Sequence, residues 1–273
     1  MNPNFLFVPT LGLAVVFFTV GILLRKRIVR PPSSSLLLFG SVILALPGVL
    51  MVVYYFHLYD NAVWFCEFRA MPYSELSAAG LGFMAGILHS TEPKDSVSRR
   101  LSAPVVLTIV LMVPFIKPIL ASVDFSHFKN QWTGDVCLQS TPSTCGPASA
   151  ASILRSFGRE ASEEELAKEC FTSTGGTENW FLARAFRRRG FAVQFMNVRD
   201  ISGRIPVRAI AGVTLRHGVG HFIAVLAETP TDYVFGDPLK GQVVIPKNRA
   251  NNQYHFTGFF MVIQPKATSN PRG

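Results

Sequence analysis

The sequence predicts an α+β domain with an antiparallel sheet, preceded by an all-helical transmembrane domain of about four spans. Three observations lead there. The 273-residue chain is 49 % hydrophobic and only 16 % charged, greasier and poorer in charge than an ordinary soluble domain. Its first 120 residues hold four largely apolar runs. After about Ser122 short helical patterns give way to strand-like segments, the order expected of an α+β domain. These shifts set the boundaries: 1–122 for the membrane part, 123–134 for a linker, 135–266 for the second domain and 267–273 for a tail.

The first run, Phe5 to Leu24, is uncharged. At about 1.5 Å per residue it spans a hydrocarbon core of about 30 Å. It lacks a basic n-region and an A-x-A site, so it reads as an anchor rather than a cleaved signal. Leu36 to Phe56 is a second uncharged run, after "RKRIVRPPSSS". Leu101 to Leu120 is a third, with Lys117 near enough to its end to snorkel and Pro114 and Pro118 expected to kink it. Met71 to Leu88 carries Glu75 and is rich in Gly and Ala. Small residues permit close helix packing in lipid, so it reads as a fourth span; a re-entrant segment is the alternative.

Cations orient such a chain. Residues 25–35 carry four, and 89–100 carry Lys94, Arg99 and Arg100; 57–70 has only Arg69. Four spans place the first two loops in the cytoplasm and the C-terminal domain outside it. Three spans reverse the latter. The net charge of +9 divides as +4 before residue 121 and +5 after it. No basic stripe with interleaved aromatics accompanies it, so nucleic acid is not the expected partner.

In the second domain, Gly146 to Phe157 is helix-compatible, with Pro147 in the first turn where a missing N–H costs nothing. "SEEELAKEC" opens with a capping box, Ser162 and Glu165. "NWFLARAFRRRG" sets Phe181, Leu182, Ala185 and Phe186 at helical spacing and stops at Gly190. Six strand-like segments follow: "FAVQFM", "RAIAGVTL", "HFIAVLAE", "DYVFGD", "GQVVIP" and "FTGFFMVIQ".

The candidate chemistry centres on "LQSTPSTCGPASAA", Leu138 to Ala151. A thiol attacks as its thiolate, and a helix N-terminus favours that anion. Cys145 stands where the loop meets the helix. A free cysteine is more often a buried small hydrophobe, so partners decide. A nucleophilic thiol needs a base, and the base needs an orienting acceptor. His221 begins a strand, and Asp237 ends the next one after a turn over "TPTD". Antiparallel pairing brings those side chains together, with Asp237 fixing the imidazole tautomer. Gln139 and the Cys145 N–H are candidate oxyanion donors.

These residues resemble the peptidase C39 family, papain-like cysteine peptidases best known as leader-peptide processing domains of bacterial peptide exporters. Gln139, the Q-x5-C-G run into Cys145-Gly146, His221-Phe222 and Asp237-Pro238 carry the resemblance, over roughly Asp135 to Pro265. It implies a papain-like fold, Cys145 as nucleophile, His221 as base, Asp237 as its orienter and Gln139 as oxyanion donor. It also implies a peptide or protein substrate, cleaved through a thioester near a bacterial inner or plasma membrane. Two rival readings use the same residues: an inactive peptide-binding module, and a cysteine-dependent amidase or acyl transferase. Unlike the exporters, this chain has no G-x-x-x-x-G-K-[ST] loop, so an ATP-driven export step falls to a separate transporter.

No cofactor is expected, and no cysteine pair has the C-x-x-C spacing of a metal or redox site. His217 is the alternative base; His255 reads as a surface residue and Asp232 as a turn residue. Gly175-Gly176 reads as a turn before a helix capped by Thr177 or Asn179. Trp180 reads as core. In an extracytoplasmic domain Cys137 and Cys170 are candidates for a disulfide worth about 3 kcal/mol, and Cys66 for a packed thiol at the outer end of the second span.

Overall fold

The computed structural model describes residues 4–28, 33–56, 58–59, 62–91, 97–198 and 204–266. Side chains are described within these except at 91–103, so the expectations for Arg30, Lys94, Arg99, Arg100 and the 267–273 tail fall outside the described residues. The chain forms two compact units. Of the described residues, one holds those in 4–59 and 72–120, and the other those in 62–71 and 121–266.

The first unit is helical. α1 is Phe7–Arg27 and α2 is Ser33–Tyr54, and these two are long and apolar enough to cross a membrane. The run Met71 to Leu88 is not one long helix. A 3-10 turn over Ser74–Ala79 leads into the 12-residue α4, Gly80–Thr91. Its small residues do what their size allows: a Cβ on Gly82 or Gly86 would collide with the backbone of Ala14 or Phe18 on α1. Close backbone approach therefore depends on glycine at both positions. α5, Val97–Leu120, begins earlier than the apolar run and stays helical through Pro104, Pro114 and Pro118.

The second unit is α+β. All six expected strands form one antiparallel sheet. Numbering starts with a small hairpin of β1 (Trp132–Thr133), at the end of the stretch read as linker, and β2 (Val136–Cys137), just past it. The main strands are β3 (Phe191–Asn197), β4 (Ala209–Thr214), β5 (Gly220–Glu228), β6 (Asp232–Asp237), β7 (Gly241–Pro246) and β8 (His255–Pro265), in the order β3-β8-β4-β5-β6-β7. One face buries Ala211, Val213, Ile223, Val225, Phe235 and Phe260. Period-two alternation in β5 and β6 puts these residues on one side of the pleat.

Three helices precede the sheet. α6 is Cys145–Ser156, α7 is Glu163–Glu169 and α8 is Asn179–Arg188. Ser162 caps α7 by accepting from the Glu165 N–H at 3.0 Å, as the capping box requires. Gly190 stands at φ +84° just past α8, the left-handed position where glycine carries no Cβ penalty. Before α8 the N-cap is Glu178, with no side-chain cap. Thr177 instead meets the Thr172 hydroxyl at 2.8 Å, so neither Thr177 nor Asn179 caps the helix.

The connection after α2 contains an unforeseen element. α3, Val63–Ala70, belongs to the α+β unit. Its Arg69 guanidinium lies 5.1 Å from the Trp180 ring centre, and Phe65 meets the same ring edge-on at 5.9 Å. Arg184 donates to the Arg69 carbonyl at 2.6 Å, and Arg187 pairs with Glu67 at 2.7 Å. Glu67 also accepts from the Phe195 N–H at 3.3 Å. β3 is an edge strand, and α3 thereby occupies a donor that an exposed edge would offer to another chain.

Candidate active site

α6 starts at the thiol. Its first two turns, Gly146 to Ala151, are buried and small. A Cβ on Gly146 would lie 3.1 Å from Leu182, 3.3 Å from Thr177 and 3.4 Å from Phe222, so this turn seats tightly between α8 and the sheet. One turn on, the Ser149 hydroxyl donates to the Phe222 carbonyl at 3.0 Å. That bond fixes the Cys145 end of α6 against β5, one residue from His221.

β5 and β6 run antiparallel with Ala224 opposite Gly236. Continuing that register puts Ile223 opposite Asp237, so His221 and Asp237 share a face as diagonal neighbours. The His221 Nε2 stands 3.1 Å from Asp237 Oδ1, with the two side chains 3 % and 0 % exposed. The half-buried Cys145 is the other neighbour that favours the imidazole's positive charge. Since Nε2 faces the carboxylate, Nδ1 is left for the sulfur. Thiol, imidazole and carboxylate therefore stand in series.

The electrostatics follow from this order. Burial pulls the His221 imidazole down. Asp237, hydrogen-bonded to it, and Cys145 beside it both favour its positive charge, outweigh that and push it up to about 9. Burial raises Asp237, but donation from His221, the Leu239 N–H and the Tyr254 hydroxyl holds it down at about 2. The pair is thus biased toward imidazolium and carboxylate.

Gln139 is only partly placed as expected. It lines a cavity of about 400 Å³ with His221, Pro142, Leu215, Val219 and Leu239. Its Nε2 donates to the Thr141 carbonyl at 2.8 Å, one of two N–H groups, while its Oε1 is buried without a partner. The amide is thus tied to its own loop through one N–H.

Two supporting residues escaped the sequence reading. The fully buried Glu163 accepts from the Ser140 N–H at 2.7 Å and the Ser140 hydroxyl at 2.5 Å, clasping the loop next to Gln139. Tyr254 donates to Asp237 Oδ2 at 2.9 Å. Neither carried a signal: Glu163 is one of three consecutive glutamates, and Tyr254 sits in the polar stretch "NNQYHF".

The other expectations resolve directly. His217 is exposed at φ +65° and is not a partner of Asp237. His255 is exposed, and Asp232 is bonded within its turn to Thr229 and Thr231. Trp180 is core. Cys137 and Cys170, the candidate disulfide pair, are free buried thiols. Burial pushes Cys137 up to about 12 and Cys170 higher still, so both are held as neutral thiols. Cys66 is a packed thiol, but on α3 rather than at the end of α2, accepting from Asn179 at 3.4 Å.

A helix-borne thiol beside an imidazole oriented by a carboxylate is the arrangement of the cysteine peptidases. Comparison with known proteins agrees. The model of the peptidase C39 family matches residues 133–268. The lactococcin-G-processing and transport ATP-binding protein of Lactococcus lactis is 25 % identical over 139 residues, covering 50 % of this chain but only 20 % of that protein. An uncharacterised protein of Methanothermobacter marburgensis is 31 % identical over 127 residues, 46 % of this chain and 85 % of its own length. The solved peptidase domain of Streptococcus ComA, a bi-functional ABC transporter involved in quorum sensing, is 21 % identical with a TM-score of 0.40, over 47 % of this chain and 96 % of that one. A double glycine motif protease from an AMS/PCAT transporter, solved with its leader peptide, is 23 % identical with a TM-score of 0.40, over 48 % and 90 %. The C-terminal half of this chain belongs to the peptidase C39 family.

Proposed function

We propose that the chain is a membrane-anchored cysteine peptidase that hydrolyses a peptide bond through a thioester. The observation that carries this is Cys145 at the start of α6 beside a His221 imidazole that Asp237 holds at 3.1 Å. The Cys145 sulfur attacks the scissile carbonyl. The resulting oxyanion takes donors from the first turn of α6 and from the second N–H of Gln139, after that amide turns toward it. The His221 imidazolium protonates the leaving amine. The neutral imidazole then accepts a proton from water attacking the thioester, and the acid and free Cys145 are released. Asp237 holds Nε2–H throughout and stabilises the imidazolium each time it forms. The substrate is a peptide or protein, and any export of the product belongs to a separate transporter.

For the anchor, α1 and α2 supply two crossings. The Met71 to Leu88 region supplies a third by path length: about 12 Å of 3-10 rise over Ser74–Ala79 and about 18 Å of α rise over Gly80–Thr91 match about 30 Å of hydrocarbon. α5 supplies the fourth. A second observation supports this count. α3 and residues from Ala121 onward form one compact unit, so they lie on the same side of the bilayer. The chain between them then crosses an even number of times. Together with the cations after α1, this supports a peptidase domain outside the cytoplasm.

The test uses full-length protein in detergent micelles and a peptide library, with products read by mass spectrometry. Wild type should yield cleaved peptides with new amino and carboxyl termini, and Cys145→Ala none. Cleavage retained in Cys145→Ala would refute the nucleophile. Peptide capture without turnover would instead mark a binding module. Amide release without chain cleavage, or acyl transfer to an amine, would mark an amidase or transferase.

A further inference from the structure

We propose that Tyr254 is a positioning residue of the site, acting on His221 through Asp237; this rests on the peptidase reading above. Asp237 must present one oxygen to His221 and remain ionised. Its Oδ1 accepts from His221 Nε2 at 3.1 Å and from the Leu239 N–H at 3.0 Å. The far oxygen, Oδ2, accepts from the Tyr254 hydroxyl at 2.9 Å, with Lys240 Nζ at 3.5 Å. Tyr254 is 3 % exposed and Asp237 fully buried, so the tyrosine hydroxyl is the buried side-chain donor that holds the carboxylate plane from behind.

The phenol is itself fixed. Its ring packs edge-on against Phe235 at 5.2 Å and against Phe256 at 6.1 Å, and Lys240 Nζ lies 5.0 Å from its centre. Between α9 (Ala250–Gln253) and β8, Tyr254 also closes the apolar face that carries Ile223. The ionisable groups facing Asp237 are then His221 from β5, Lys240 from the turn after β6, and Tyr254; Cys145 reaches it only through His221. Burial and the neighbouring carboxylate both raise the phenol, so it stays a donor. Such an outer partner keeps the carboxylate ionised and aligned, as carboxylates behind metal-bound histidines do.

Tyr254→Phe removes only the hydroxyl and leaves the ring. Cys145 alkylation by iodoacetamide is followed against pH in the full-length protein, by mass spectrometry, for wild type, Tyr254→Phe, Asp237→Asn, the double variant and His221→Ala. Losing a hydrogen bond to a buried charge should move the acid-side inflection governed by Asp237 up by about one to two pH units. In the Asp237→Asn background the same substitution should change nothing further. An unmoved acid limb, additive losses in the double variant, or unfolding of Tyr254→Phe by circular dichroism would each overturn the positioning role. Coupling of Cys145 to His221 would then still stand. Identical profiles for wild type and His221→Ala would remove the peptidase reading, and this proposal with it.

Discussion

Replacing Glu163 by Ala should damage both stability and turnover, although Glu163 touches no reacting atom. Its two oxygens clasp Ser140 at 2.7 and 2.5 Å inside the protein. Hydrogen bonds to a charged group contribute about 1.5–3 kcal/mol each, and removal leaves the Ser140 N–H without its acceptor. A loss of about 3 kcal/mol follows at the low end, or roughly 6–12 °C in Tm for a unit of this size. The catalytic cost comes through Gln139. That residue is otherwise held by its N–H on the Pro238 carbonyl at 3.0 Å and its amide on Thr141. A misplacement of about 1 Å costs on the order of 10²-fold, so kcat should fall by about that factor while KM changes little. Glu163→Gln keeps one acceptor for Ser140 and should fall between. Thermal unfolding in detergent and steady-state cleavage of a library-derived peptide read both quantities. A Glu163→Ala protein with Tm within about 2 °C and kcat within about threefold of wild type would refute this role for the clasp.

Four further outcomes are expected. Peptide cleavage should fall as pH rises through about 9, because His221 then lacks the proton for the leaving amine. The stability held in the pair has matching signs. His221 is raised above its ordinary 6.5, so its share is full below that and lost as pH rises through about 9. Asp237 is lowered from 3.8, so its share is full above that and lost as pH falls through about 2. Stability from the pair should therefore be greatest from 3.8 to 6.5, and a denaturation series still gaining stability above pH 9 would contradict the assignment. Trp180→Ala, deleting a buried ring against Phe65 and Arg69, should cost about 3–5 kcal/mol and speed hydrogen exchange in 63–70; unchanged protection there would deny that the ring anchors α3. Cys137 and Cys170 should resist alkylation under native conditions and react only after unfolding, whereas a mass shift requiring prior reduction would restore the disulfide.

The candidate residues of the site were legible because their chemistry is scarce in this sequence. Cys145 stands before a helix of small residues, and His221 and Asp237 fall at the ends of successive strands whose alternation is plain. The six strands were legible for the same reason. What lay hidden is buried polarity. Glu163 looks like Glu164 and Glu165, and only the packing of α7 against the loop makes one of them internal. Tyr254 comes beside Asp237 through chain reversal after β7, which no local pattern announces. α3 was hidden by its neighbours: an eight-residue "VWFCEFRA" between apolar runs reads as a connection, and its docking depends on Trp180, more than a hundred residues away. The expected disulfide failed because each thiol has its own place, Cys137 in β2 beside Ser152 and Cys170 at the end of α7.

Cys145 and His221 should act as one unit, and the rate of Cys145 alkylation against pH, with and without His221→Ala, measures this without a substrate. In the full-length protein, wild type should react at pH 6 at least about tenfold faster than His221→Ala, since an imidazolium beside the sulfur favours the thiolate. The variant should lose that advantage and react as an isolated thiol does. Superimposed profiles of the ordinary kind would show that the imidazole does not activate the sulfur, and the account would be wrong at its centre.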